Sequence, residues 1–82
     1  MKHARTDYDR IQDPSGKIPD DEPVFLLRGQ DKHAAAAVRM YAALVEAASG
    51  DRQIIEACRR QADRMDAWRP KQTPDMIPGT IR

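Results

Sequence analysis

Cysteine occurs once in this 82-residue chain, at position 58. No intramolecular disulfide can brace it, and a reducing cytoplasm is the expected setting. Aromatic side chains are nearly as scarce: one Phe, one Trp and two Tyr supply few bulky core groups. A domain of this length already sits near the lower limit of what one core stabilises. That shortage predicts burial against a second copy or another protein. No stretch reaches the ~20 apolar residues of a membrane span. Lys2 and Arg5 precede no apolar run, so a signal peptide is not expected either. Nor is there an excess of one charge. A formal net charge of +1 gives no global attraction to nucleic acid or an anionic membrane.

The residue types of catalysis are missing as a set. His3 lies in a polar arm and His33 in the first turn of a predicted helix, while Ser15 and Ser49 both stand in turn signals. No Cys or His pair has metal-ligand spacing. Asp20-Asp21-Glu22 reads as a solvated turn, and Gly29 alone is not a phosphate loop. The reading is therefore non-enzymatic, with no catalytic residue, metal or cofactor expected. Cys58, on the apolar face of a predicted helix, reads as a small buried hydrophobe.

What the chain does have is one dense apolar run, Val24-Phe25-Leu26-Leu27, closed by the donor-rich junction Arg28-Gly29-Gln30-Asp31-Lys32-His33. Before it, residues 1–22 form a polar arm that only Tyr8, Ile11 and Ile18 can anchor. Within the arm, Asp13-Pro14-Ser15-Gly16 predicts a β-turn. Residues 23–28 read as extended, a strand if they find a mate and a short helix in the competing reading. Such a strand would need a second copy or a partner to pair with.

Gly29 lets the chain turn and Asp31 caps a helix over 31–49. Its predicted apolar stripe is Ala34, Ala37, Val38, Tyr41, Leu44, Val45 and Ala48. Gly50 stops that helix and Asp51 caps a second over 51–69, with Ile54, Ile55, Cys58, Ala62, Met65 and Trp68 on one face. The fold class is thus mainly α: an antiparallel helical hairpin preceded by a short extended segment and a polar N-terminal arm. Residues 1–69 make a single small domain, and 70–82 a flexible or partner-docked tail. Phe25, with Leu26 or Leu27, is expected to wedge between the helices, because two helices of this length with an Ala-rich seam bury little by themselves.

Two groups of residues are candidates for binding. Arg28, Gln30, Lys32 and His33 converge donors on a helix start, with Arg39 one to two turns further on, and could hold a phosphate or a base edge. Arg52, Arg59, Arg60 and Arg64 give the second helix a basic face suited to a protein partner. Interleaved Glu56, Asp63 and Asp66, and the absence of exposed aromatics among them, disfavour DNA or RNA there.

The segment Ile18-Pro19-Asp20-Asp21-Glu22-Pro23-Val24-Phe25-Leu26-Leu27-Arg28-Gly29-Gln30-Asp31 resembles a group of short bacterial and phage proteins. The similarity continues through Val38–Ala42 and Ala62–Trp68. It implies a context, cytoplasmic and phage-borne, and no residue roles. Two functions are carried forward. The first is a non-catalytic inhibitor or adaptor acting on a host or phage protein, with a role against host defence. It would self-associate through Val24–Leu27 and the alanine face of the first helix. The alternative is a small-ligand binder that sequesters a phosphorylated metabolite or a cyclic nucleotide signal.

Overall fold

Four successive alanines start helix α1 (Ala34–Ala47), and Asp51 opens helix α2 (Arg52–Ala67). The computed structural model describes residues 13–73; residues 13–26 belong to one compact unit and 27–73 to a second. In the second unit α1 and α2 pack on each other as an antiparallel hairpin, the fold class that the sequence predicts. Both helices are shorter than expected. The Asp51 carboxylate accepts from the Gln53 amide at 2.8 Å, an N-cap in the predicted place. Asp31 instead builds a turn ahead of α1. Its carboxylate accepts from His33 N at 2.7 Å and its carbonyl from Ala34 N at 3.1 Å, and the helix begins after them.

The bend between the helices divides its work between two residues. Ser49 takes the left-handed conformation, at φ 56°. Gly50 donates to the Val45 carbonyl at 2.8 Å, so close that a β-carbon there would meet Val45 Cγ1 at 2.5 Å and Val45 O at 3.0 Å. Gly50 is therefore required by contact, not by its backbone angles. Gly50→Ala is expected to cost about 1–3 kcal/mol through the forced displacement, read as a lower denaturant midpoint with an unchanged slope.

The core is small. Ala34, Ala35, Ala62 and Met65 form one buried cluster with Leu27 and Val38 packed against it, and Ala42 and Ile55 are buried as well. Here the predicted stripe of α1 needs correction. Ala37, Tyr41, Leu44 and Ala48 are exposed, while Ala35 and Ala42 are buried in their place. The helix is turned so that its small side chains, not its large ones, face α2. Ala-to-Ala packing lets the backbones approach closely, which Tyr and Leu on the same face would prevent. On α2, Ile55, Ala62 and Met65 are buried as predicted and Cys58 is half-buried, but Ile54 and Trp68 are exposed.

The wedge is also corrected. Phe25 is 69% exposed, too open for a ring wedged into a core. Leu27 alone of the expected pair packs on the core cluster. Residues 23–28 form no helix and belong to no named strand. In the first unit the β-turn at Asp13–Gly16 is present, with Gly16 N donating to Asp13 O at 3.0 Å. The Asp13 carboxylate also accepts from Lys17 N and Ile18 N. The anchors Tyr8 and Ile11, and tail residues 74–82, lie outside the described residues.

Candidate functional site

The donor-rich junction is held by the chain's own return. Gln72 N donates to Gln30 O at 2.6 Å, and Lys32 N donates to Gln72 O at 3.1 Å, a parallel bridge that joins Asp31 to Gln72. The Lys71 ammonium donates to Gly29 O at 2.7 Å and to Met65 O, so it closes the C-terminal end of α2 and the junction together. Trp68 lies against Gly29, where a β-carbon would stand 3.3 Å from Trp68 Cβ. Gly29 therefore serves by close approach. Residues 71 and 72, read from the sequence as the start of a tail, are part of this lock.

That lock uses the groups an anion would need. His33 N is taken by Asp31, Ala34 N by the Asp31 carbonyl and Lys32 N by Gln72. Arg28 and Gln30 are half-buried and each holds an interaction within the chain. The Lys32 and His33 side chains are exposed. Arg39 is drawn to α2: its guanidinium meets Asp63 at 2.9 Å and Asp66 at 2.7 Å. The hydrogen bonds to Asp63, then Asp66, raise its pKa further above an already high value.

The four arginines of α2 separate into two pairs. Arg52 and Arg59 grip opposite oxygens of Glu46, each at 2.9 Å. Arg60 and Arg64 are exposed, and Arg64 makes a long 3.4 Å bond to Gln61. Exposed pairs of this kind add little stability. They do fix the register of the hairpin, by an Arg on α1 to acids on α2 and an acid on α1 to arginines on α2. Among the described residues no three His, Cys, Asp or Glu side chains are grouped to hold a metal, and no helix is long and apolar enough to cross a membrane.

Arg39 and Glu46 are the only charged residues of α1, and both are turned to α2. Everything else on its outward side is uncharged: Ala36, Ala37, Met40, Tyr41, Ala43, Leu44 and Ala47, continued by Ala48. Met40, Tyr41 and Leu44 are 62%, 54% and 61% exposed. A helix apolar on all sides is ordinarily buried on all sides, and among the described residues only one side of α1 is packed, against α2. This outer face is the second candidate surface. Sequence reasoning missed it by assigning Tyr41 and Leu44 to the core, although a 14-residue helix with two charges was the signal for two apolar faces.

Comparison with protein-family models, curated proteins and solved structures found no match to this chain. Among the described residues, the fold and surface are those of a helical hairpin with large apolar side chains exposed on one face of its first helix.

Proposed function

We propose that the chain is a non-catalytic protein-binding module that works through the outer face of α1. One observation carries this reading: three large apolar side chains, Met40, Tyr41 and Leu44, stand more than half exposed on a face without a single charge. Contiguous apolar surface of this kind is rare on a monomer that has no partner. The resemblance of residues 18–31 to short phage proteins adds a setting. In it the module is an inhibitor or adaptor that occupies a host protein in the cytoplasm, with an anti-defence role. The small-ligand reading has less support, because the junction's amides are already bonded within the chain.

Affinity capture with the full chain tests the proposal. Wild type and Arg60→Ala are expected to retain the same bacterial protein. Leu44→Glu, which forces a charge into an apolar contact, is expected to lose it by roughly 100-fold or more. Loss with Arg60→Ala and retention with Leu44→Glu would move the interface to the arginine face of α2 and overturn the proposal.

A further inference from the structure

We infer that, in the free protein, the outer face of α1 is covered by the same face of a second copy, the two helices running antiparallel about a two-fold axis at the level of Ala42. The inference rests on the protein-binding reading above and names the first occupant of that surface. An outside protein would then reach the face by displacing this copy.

Three observations select a second copy. The face carries no charge, since Arg39 and Glu46 are both engaged on α2. A partner chosen by charge gains nothing there, whereas a second copy brings an equally uncharged surface. An antiparallel two-fold contact is self-complementary, and an axis at the level of Ala42 centres it on the three large side chains. Turning α1 end for end there sets Met40 beside Leu44 of the second copy, Tyr41 level with its small Ala43 and Ala37 against its Ala47. Large side chains thus meet small ones or fit beside each other. A parallel pairing would instead set Tyr41 on Tyr41 and Leu44 on Leu44. The area suffices too. The three large side chains and neighbouring alanines offer roughly 500 Å² per copy, so a pair buries on the order of 1,000 Å², about the threshold for a specific interface.

Sedimentation of the full chain at about 100 µM, together with cysteine cross-linking in a Cys58→Ser background, tests the geometry. The expected result is a particle near twice the 9.3 kDa chain mass, reduced to one chain by Leu44→Glu with helical circular dichroism unchanged. An equimolar mixture of Ala37→Cys and Ala47→Cys chains should cross-link as the mixed pair. Cross-linking of Ala47→Cys to itself is expected to be slow, because antiparallel packing separates those positions by about 15 Å along the axis. Efficient self-cross-linking of Ala47→Cys would overturn the antiparallel arrangement. A wild-type monomer that still captures a bacterial protein through Leu44 would overturn the second copy and leave the protein-binding reading standing. A monomer that dimerises only after removal of residues 74–82 would assign the face to that segment, which also overturns the inference.

Discussion

Ile55→Ala is expected to lower stability by about 2–5 kcal/mol, the range for truncating a buried isoleucine. Ile55 is 2% exposed and, among the described residues, is the bulkiest side chain almost wholly buried, the rest of the buried apolar set being alanines apart from Met65 at 9%. The folded state of a domain this size exceeds the unfolded by only on the order of 5–10 kcal/mol, so the loss brings the variant close to unfolding at room temperature. Phe25→Ala supplies the contrast. An exposed ring carries little of the folding free energy, and its removal should cost no more than about 0.5 kcal/mol. Urea unfolding of both variants checks the pair. Equal losses would contradict a core that includes Ile55 and leaves Phe25 out.

Ala42→Leu should be nearly as damaging, by about 3 kcal/mol, for the opposite reason. Ala42 is fully buried on the side of α1 that faces α2, and three added carbons must push the helices apart. That movement would also pull Arg39 from Asp63 and Asp66, and Glu46 from Arg52 and Arg59. Ala43→Leu, one residue further on and exposed, should change stability by no more than about 0.5 kcal/mol. The comparison is made by thermal unfolding at a dilution where the chain is monomeric. It locates the seam to within one residue, and the reverse order of effects would mean that α1 is turned as its Tyr and Leu suggested.

The hairpin was legible because its signals are local. Asp51 caps α2, the Ser49-Gly50 pair bends the chain, and the alternation of arginines and acids on α2 leaves one apolar face to bury. The rotation of α1 was not legible. With two charges in 14 residues, hydrophobic periodicity cannot choose between an alanine face and a Tyr–Leu face. The choice falls to how closely two backbones can approach, which is a property of the pair. Arg39 and Glu46 show the same limit, since each is read as an isolated charge until its partners on α2 are in place.

The junction was harder still. Arg28 to His33 looked open because, beside Asp31, which takes the His33 and Ala34 amides, distant groups close the junction. The groups that do are Lys71 and Gln72, with Lys71 lying 42 residues from Gly29. The arginine face divides in the same way. Arg60 and Arg64 are exposed, but Arg52 and Arg59 are tied to Glu46, a pairing that spans the bend.

The central claim is that α1 has two apolar faces, one that folds the chain and one that presents it. Equilibrium unfolding of Leu44→Glu under dilute conditions tests it most directly. The account predicts native helical content and a midpoint within about 0.5 kcal/mol of wild type, because the new carboxylate points into water. Collapse of the helical signal, or a loss of several kcal/mol, would place Leu44 in the core and contradict it.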